Sequence, residues 1–171
     1  RACERRKARA QRVDDALLTT MREVPKICKY MDMPLQHANG RILRSMKRGG
    51  NAESLKRLVG HIREQVPGVT MRTSMIAGYP GETEEEFSEL CSFVEDMQFD
   101  RLGTFTYSDE EGTASQLLNQ KLGARVINSR RSRLMQIQAR VSKMKNRQHL
   151  GKRYPLLVEG ESAESDLLWQ G

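Results

Sequence analysis

The sequence predicts an α/β protein built on parallel strands, because segments typical of strands and helices alternate along it. Segments 27–37, 69–77 and 100–107 are prone to form strands, and helical periodicity lies between them. Two further strands are predicted at 153–158 and 166–169. No stretch contains the ~20 consecutive apolar residues of a membrane-spanning helix. The 171 residues, of which 37% are hydrophobic, suffice for one domain, with or without a small appendage, and are too apolar in these segments for a disordered chain.

The predicted helices are defined by apolar side chains at helical spacing and by the proline or glycine residues that follow several of them. We predict helices over residues 13–23, 39–48, 51–66, 83–97 and 123–149. Asn51 is the predicted N-cap of the third helix, and Thr83 and Glu86 have the spacing of a capping box. The last helix carries a narrow apolar stripe formed by Ile127, Leu134, Ile137, Val141 and Met144.

The three cysteines, Cys3, Cys28 and Cys91, are too few and too far apart for a disulfide framework or a zinc site. A reducing, cytoplasmic setting is therefore the expectation from cysteine usage. Cys91 lies on the apolar face of a predicted helix, and Cys28 lies early in a predicted strand. We expect structural roles for both.

Charge is strongly segregated along the chain, although the formal net charge is +7. Residues 82–111 contain eleven of the 22 acidic residues, whereas residues 123–153 contain ten Lys and Arg residues and no acidic residue. Residues 1–12 add six basic residues and one glutamate. A basic stripe can attract a nucleic-acid backbone, but it is also typical of a solvated helix face or of a surface paired with an acidic segment of the same chain. The sequence leaves these alternatives open.

Polar and glycine-containing motifs follow the three central predicted strands, at the ends where parallel α/β proteins bind ligands. The motifs are Pro34-Leu35-Gln36-His37, Gly78-Tyr79-Pro80-Gly81-Glu82-Thr83 and residues 106–113. Gln36 offers a donor and an acceptor to a ribose or amino-acid ligand, and His37 is able to transfer protons. Gly78 and Gly81 permit close approach of the backbone to a ligand. An ordinary loop, turn or solvated acidic segment is the alternative interpretation of each motif.

Three strings at these positions resemble the methylthiotransferase family of radical S-adenosylmethionine (SAM) enzymes. They are MDMPLQHANGRILRSMKRGG, MRTSMIAGYPGETEEEF and FDRLGTFTYSDEEGT, and the resemblance covers about residues 13–171. The Gln36-His37 pair and the acidic segment 108–113 are similar to the RimO type, which methylthiolates an aspartate of a small-subunit ribosomal protein. A fragment of the tRNA-modifying branch, which typically has serine after the glutamine, is an alternative.

The resemblance implies a fold and a division of the chain. Residues 13–150 would form the later half of a partial TIM-type (β/α)6 radical SAM barrel with its connecting helix, and residues 151–171 would begin a truncated TRAM-like β segment. The family normally has a strand just before residue 13, where this chain has the charged run 1–12. Because such a run is unsuited to a buried central strand, we expect a non-native or disordered start on a fragment or on the product of an altered reading frame.

The resemblance also implies SAM and [4Fe–4S] clusters as cofactors of the intact enzyme. It places Gln36, Ser74, Ile76 and Gly78 near SAM, and His37 and Arg72 at the ligand or substrate edge. Ser74 stands where the family motif Gly-x-Ile-x-Gly has its first glycine. The Cys-x3-Cys-x2-Cys loop that ligates the radical-generating cluster is missing from this sequence, so we expect no catalytic residue and no metal ligand here. The isolated chain would then be inactive.

The implied partner is a small-subunit ribosomal protein or the ribosome in the cytoplasm, with no membrane involved. The basic helix 123–149 would add a contact with RNA. The alternative is a non-catalytic RNA- or ribosome-binding module that uses this helix and the partial TRAM segment. The missing cysteines favour this module for the isolated chain, whereas the motifs at the strand ends favour a methylthiotransferase as its origin.

Overall fold

The computed structural model describes residues 6–7, 13–110, 112, 114–154, 157–162 and 164–170. The strands are β1 (Arg6–Lys7), β2 (Tyr30–Asp32), β3 (Thr70–Ala77), β4 (Arg101–Thr106), β5 (Gly160–Ser162) and β6 (Ser165–Gln170). The helices are α1 (Asp15–Glu23), α2 (Gly40–Ser45), α3 (Ala52–Gln65), α4 (Glu84–Met97) and α5 (Ala124–Arg147), with a short 3₁₀ helix at Ala114–Leu117. Within the described part of the chain, no helix combines the length and the apolar character needed to cross a bilayer.

The central sheet is parallel throughout, and its strand order, β1-β2-β3-β4, follows the sequence. Met31 of β2 lies opposite Met71 of β3. Alternate residues of β3, which are Met71, Met75 and Ala77, belong to the same buried core as side chains of the helices. The residues between them, such as the exposed Arg72, lie on the opposite face. The helices thus cover one face of the sheet, and the predicted parallel α/β architecture is confirmed.

Side-chain caps fix the starts of α3 and α4 where the sequence predicts them. The Asn51 side chain accepts a hydrogen bond from the Ser54 backbone N–H at 2.9 Å. The Thr83 backbone N–H donates to Glu86 Oε2 at 2.9 Å, and Thr83 Oγ1 accepts from the Glu86 backbone N–H at 3.3 Å. Each such cap stabilises a helix by about 1 kcal/mol. Because α4 begins directly after the strand-to-helix turn, its capping box also fixes the end of that turn.

The strand predicted over 27–37 is much shorter in the structure, because β2 contains only three residues. Pro34 has no N–H to donate and interrupts the ladder. Pairing resumes at Gln36, whose N–H donates to Ser74 O at 2.8 Å and whose carbonyl accepts from the Ile76 N–H at 2.8 Å. The end of the predicted strand is therefore a separate contact that carries Gln36 to the edge of β3.

Helix α5 follows the predicted apolar stripe only in part. Leu134, Ile137 and Val141 are buried, whereas Met144 is 42% exposed. The helix has reached the amino end of β4 at this point, since Lys145 Nζ lies 2.6 Å from Asp100 Oδ1. No further β4 residue is available there to cover Met144. The helix also ends two residues before the predicted limit of 149.

The charges that are segregated in the sequence are paired in the structure. The ion pairs are Arg130–Glu82 (3.1 Å), Arg130–Glu84 (3.1 Å), Arg133–Glu84 (3.1 Å), Arg140–Glu95 (3.6 Å) and Lys145–Asp100 (2.6 Å). Each links α5 to α4 or to a residue beside α4. An acidic partner within the chain therefore accounts for four of the ten basic residues of the stripe, Arg130, Arg133, Arg140 and Lys145.

The chain ends in an antiparallel hairpin that differs from the prediction. The strand predicted over 153–158 is wrong for its described residues, 153–154 and 157–158, while residues 155–156 lie outside the described part. The partner of β6 is instead β5, with Glu161 opposite Trp169. A short hairpin pairs the residues next to its turn, so the turn selects β5 over the more apolar segment upstream. The strand predicted over 166–169 lies within β6, and the assignment of this region to a TRAM domain stays a prediction.

The charged run at the start of the chain contributes an edge strand. Arg6 and Lys7 form β1, which pairs in parallel with Met31 and Asp32 of β2. The expected disorder therefore does not extend to these two residues, because backbone pairing at a sheet edge does not require apolar side chains. The rest of the run 1–12 lies outside the described residues.

The two described cysteines have different environments. Cys91 is buried on α4, and burial raises the pKa of its thiol to about 11. It is therefore a neutral core side chain, as the sequence predicts. Cys28 is disulfide-bonded, a state that the spacing of the cysteines did not predict.

We expect Glu86→Gln to destabilise the chain at pH 7 by about 1–2 kcal/mol. Arg41 Nε and Nη2 each donate to the Glu86 carboxylate at 2.6 Å, and these bonds hold its pKa below the usual range. The depressed pKa stabilises the fold above about pH 4.3, and this stabilisation is lost as the pH falls through the folded-state pKa. Urea unfolding at pH 7 and pH 3 should show a difference from the parent chain that shrinks in acid. Glu64→Gln, an exposed glutamate with no described ion pair, is the control, and an unchanged difference at pH 3 would contradict the prediction.

We expect Gly78→Ala to cost about 3 kcal/mol in the free energy of unfolding. Gly78 has a φ of +82°, and an added Cβ would lie 2.6 Å from Ile127 Cγ1 on α5. Gly68→Ala is the matched control, because its φ is +79° and no atom lies within 4 Å of the added Cβ. It should lose only about 1 kcal/mol, the cost of the backbone conformation. Equal losses in urea unfolding would show that the contact with Ile127 does not constrain this turn.

Candidate functional site

A cavity of about 710 Å³ lies where β2, β3 and β4 reach their carboxyl ends. Its volume falls within the range of about 300–1,000 Å³ that is usual for small-molecule sites. The lining side chains on which its chemistry depends are Gln36, Lys47, Arg48, Ile76, Tyr79 and Tyr107. The cavity thus combines an amide, two cations and aromatic surface at the edge of the sheet where the sequence predicts a ligand.

Gln36 occupies an uncommon backbone conformation at the wall of the cavity. Its φ is 75°, in the left-handed region that residues other than glycine rarely adopt. Both of its backbone polar groups bond to β3, so neighbouring interactions maintain the conformation. Ile76 and Tyr79 line the same cavity, and Gln36 therefore converges with the turn that begins at Gly78. Gln36 and the Gly78 turn thus reach the same cavity. That these residues contact a cofactor stays a prediction.

Two tyrosines form a connected wall of the cavity. The ring centroids of Tyr79 and Tyr107 are 5.4 Å apart with an interplanar angle of 77°, which is an edge-to-face contact. The Tyr79 hydroxyl lies 3.1 Å from Ser45 Oγ, and the Tyr107 hydroxyl donates to Asp109 Oδ1 at 2.9 Å. Burial raises the pKa of Tyr107, so the phenol stays protonated at neutral pH. The Tyr107 phenol is therefore uncharged, and each tyrosine hydroxyl has a hydrogen-bond partner within the chain.

Asp109, in the acidic loop 108–113, accepts hydrogen bonds from two side chains of the same chain. Lys121 Nζ lies 2.5 Å from Asp109 Oδ2, and bonds from Lys121 and Tyr107 hold the pKa of Asp109 below its usual range. This carboxylate is engaged in an ion pair within the chain. Glu110 lines the cavity beside it.

Sequence reasoning missed the two cations that line the cavity. Lys47 has a φ of 55°, and its exposed side chain follows the end of α2. Arg48 Nη1 donates to the Pro34 carbonyl at 3.2 Å, which ties it to the segment that carries Gln36. The sequence pattern predicts only a helix over residues 39–48. The Lys-Arg pair directly before Gly49 and Gly50 was the available signal that the chain turns back there towards the cavity.

His37 is not among the residues that line the cavity, and its predicted place at the ligand or substrate edge stays a prediction. It is fully buried, and its Nδ1 accepts a hydrogen bond from the Asn39 backbone N–H at 2.9 Å. Because Nδ1 accepts, the proton of the neutral ring is on Nε2, which lies 3.4 Å from Glu82 Oε1. The ring therefore holds together two segments behind the cavity.

Of the predicted site residues on β3, Ile76 lines the cavity, whereas Arg72 and Ser74 lie elsewhere on the sheet. Arg72 and Ser74 share the open face of the sheet with Ile76 but are not part of the cavity lining. Arg72 Nε lies 3.9 Å from Asp32 Oδ2, and a hydrogen bond with Tyr30 raises the pKa of Arg72. Ser74 pairs with Gly103 of β4. Both residues therefore lie nearer the amino ends of the strands than the cavity does.

Gly78 contributes to the site through its backbone. Its N–H donates to Glu82 Oε2 at 2.6 Å, and its Cα faces Ile127 of α5. Glycine is needed here for close packing and for a left-handed backbone. The turn places the next residue, Tyr79, in the cavity wall.

The described residues do not fit an iron–sulfur cluster. Such clusters are usually held by thiolates, whereas Cys28 is disulfide-bonded and Cys91 is a buried neutral thiol. Among the residues that the structure describes, no group of three or more His, Cys, Asp or Glu side chains is placed to hold a metal ion.

Comparison with known proteins identifies relatives over nearly the whole chain. The chain is 48% identical over 159 residues to the ribosomal protein uS12 methylthiotransferase RimO of Solibacter usitatus (strain Ellin6076), covering 93% of this chain and 34% of the relative. It is 48% identical over 157 residues to the protein of the same name from Myxococcus xanthus (strain DK1622), covering 92% and 33%. The chain therefore spans about a third of the length of these curated relatives.

The fold and a family model lead to the same assignment. Coproporphyrinogen III oxidase (HemN) from Escherichia coli, described as a radical SAM enzyme, matches with a TM-score of 0.60 and 18% identity, over 82% of this chain and 31% of that chain. At this identity the match shows the fold alone, which agrees with a sheet covered on one face. The family model described as the Radical SAM superfamily matches residues 8–94, about half of the sequence. The chain belongs to the radical SAM superfamily.

Proposed function

We propose that this chain is part of a methylthiotransferase that modifies an aspartate of a small-subunit ribosomal protein at its β-carbon. The shared name of the relatives, ribosomal protein uS12 methylthiotransferase, supports the substrate class. A ribosomal protein or the ribosome is the proposed partner, and the cytoplasm is the proposed setting. The motifs at the strand ends support the same assignment, because they converge on one cavity at the edge of the sheet.

The cavity is the proposed site for SAM, and the chemistry of its walls suits that molecule. Gln36 is able to donate to and accept from a ribose, and Ile76 offers an apolar surface to a base. Lys47 and Arg48 supply positive charge for a carboxylate. In the intact enzyme, SAM supplies the radical that activates the substrate carbon. This chain's part is to bind and orient the molecule, since its described residues do not fit a cluster.

The observation that carries the proposal is the convergence of Gln36 and the turn of Gly78 and Tyr79 on one cavity. We expect isothermal titration of SAM into the chain to show binding, and Gln36→Ala to weaken it about fivefold. That loss corresponds to the net contribution of one hydrogen bond, on the order of 1 kcal/mol.

Gln98→Ala is the matched control for this titration. Gln98 also has a positive φ, of 46°, but it lies at the C-terminus of α4 and is not part of the cavity lining. The Gln98→Ala substitution removes a glutamine side chain from a residue with a positive φ and leaves the cavity lining unchanged. Absence of heat from a folded parent chain, or equal weakening by both substitutions, would count against a SAM site at this cavity.

A second proposal is an RNA contact at the far end of the basic helix, and exposed cations in that region support it. Lys143, Arg147, Lys152 and Arg153 are exposed, and none forms an ion pair with another described residue. Lys143 and Arg147 lie near the end of α5, and Lys152 and Arg153 belong to residues 151–171, the proposed start of a TRAM domain. These side chains are available to phosphates, in contrast to Arg130, Arg133 and Arg140, whose guanidinium groups are paired with carboxylates of this chain.

We expect single-stranded RNA to bind this region with an affinity that falls steeply with salt. Each phosphate contact contributes about −0.7 to the slope of log K against log salt concentration. The double substitution Lys143→Gln and Arg147→Gln should reduce that slope by about 1.4 in filter-binding titrations. The control is Arg133→Gln with Arg140→Gln, which removes two paired cations of the same helix. An equal change in slope for both double variants would refute a specific contact at the far end.

A further inference from the structure

Glu82 is a buried carboxylate on which three separate segments of the chain converge. We propose that Glu82 and Arg130 form a positioning pair that couples α5 to the two loops lining the cavity. The part of this inference that concerns SAM rests on the proposed function. The part that concerns the loops rests on geometry alone.

The carboxylate of Glu82 has three polar partners: it accepts a hydrogen bond from the Gly78 N–H, forms an ion pair with Arg130 and lies within hydrogen-bond distance of His37 Nε2. Gly78 N–H and Arg130 Nη1 lie 2.6 Å and 3.1 Å from Oε2, and His37 Nε2 lies 3.4 Å from Oε1. The Glu82 side chain is 0% exposed, and the side chain of Arg130 is 8% exposed. The Arg130 Nη1 group also donates to the Glu82 carbonyl at 2.9 Å. Glu82 is therefore held through both its side chain and its backbone.

Charge balance explains why this carboxylate requires Arg130. An isolated charge in a protein interior is strongly unfavourable, whereas a paired and hydrogen-bonded charge is tolerated. Among the described residues, Arg130 is the one partner of Glu82 that carries a permanent positive charge, since His37 is charged only if protonated. Loss of the guanidinium would leave a buried carboxylate that must take up a proton or move towards water. Either change alters the acceptor that holds Gly78.

Arg130 is itself held in place on α5. Its Nη2 donates to Glu84 Oε2 at 3.1 Å, and its Cζ lies 5.1 Å from the centre of the Phe87 ring. The side chain is thus fixed between the start of α4 and the body of α5. Any movement of α5 at this point is transmitted to the carboxylate.

The same carboxylate reaches both loops of the cavity. Through Gly78 it fixes the turn that places Tyr79 in the wall. Through His37 it fixes the segment that contains Gln36, because His37 directly follows Gln36 and also accepts from the Asn39 N–H. A displacement of Glu82 would therefore shift both walls together. In this arrangement α5 supports the cavity as well as connecting the sheet to the C-terminal segment.

The test compares Arg130→Met with Arg133→Met in the full chain. Arg133 is the matched control: it donates to Glu84 at 3.1 Å and lies 5.5 Å from the Phe87 ring, but it does not contact Glu82. Two-dimensional NMR would follow the amide resonance of Gly78 and the ring resonances of His37. We expect the Gly78 amide resonance and the His37 ring resonances to shift in Arg130→Met and to keep the parent chemical shifts in Arg133→Met. Titration of SAM should show about tenfold weaker binding for Arg130→Met alone.

Two further variants keep the test decisive if Arg130→Met does not fold. Glu82→Gln keeps the shape and removes the charge, and should move the Gly78 and His37 resonances in a folded chain. Arg130→Lys keeps the charge and should retain resonances close to those of the parent. Unmoved resonances in Glu82→Gln, or equal shifts in Arg130→Met and Arg133→Met, would overturn the positioning pair. If the parent chain binds no SAM, the proposed function fails, but the resonances still decide the coupling.

Discussion

The covering of the sheet on one face only is the constraint on which the rest of this structure depends. Because α1, α3, α4 and α5 contribute to a single core, alternate residues of β3 differ in environment: Met71 and Met75 are buried, while Arg72 is exposed. Parallel pairing then brings the carboxyl ends of three strands to one edge. The cavity lies at this edge, so the helical layer that stabilises the sheet also determines where ligand-facing groups lie.

Apolar packing alone does not hold the cavity in shape. The segments that line it leave the sheet after β2 and β3, and polar contacts at Glu82 connect them in addition to the apolar contact of Gly78 with Ile127. Glu82 is central to these connections, and Arg130 reaches it from α5. Hydrogen-bonded charges fix geometry more narrowly than apolar contacts because they depend on direction as well as distance. This is a physical reason to place a buried ion pair beside a binding site, despite the cost of desolvation.

Much of the fold could be predicted because its local signals are strong. The capping box of Thr83 and Glu86 and the glycine-rich turn before it are visible in a few adjacent letters. The convergence of Gln36 with the Gly78 turn follows from parallel topology. The places of His37 and Arg130 could not be predicted, because a histidine in a loop and an arginine on a basic helix show their partners only when distant segments pack. Motif position predicts candidate ligand-facing residues, but it does not show which of them line the cavity and which, like His37, are buried outside its lining.

In radical SAM enzymes, catalysis is divided between the cofactors and the protein, and the proposed site is interpreted in this context. The cofactors carry out the radical chemistry, and the protein binds, orients and shields them. The described residues have side chains suited to this proposed role: an amide held in a left-handed backbone, two cations after α2, and two tyrosines in edge-to-face contact. The cysteines described here are unsuited to the redox part, because one is disulfide-bonded and the other is a neutral core thiol. Under the proposed function, the described part of this chain contributes the binding and orientation of SAM.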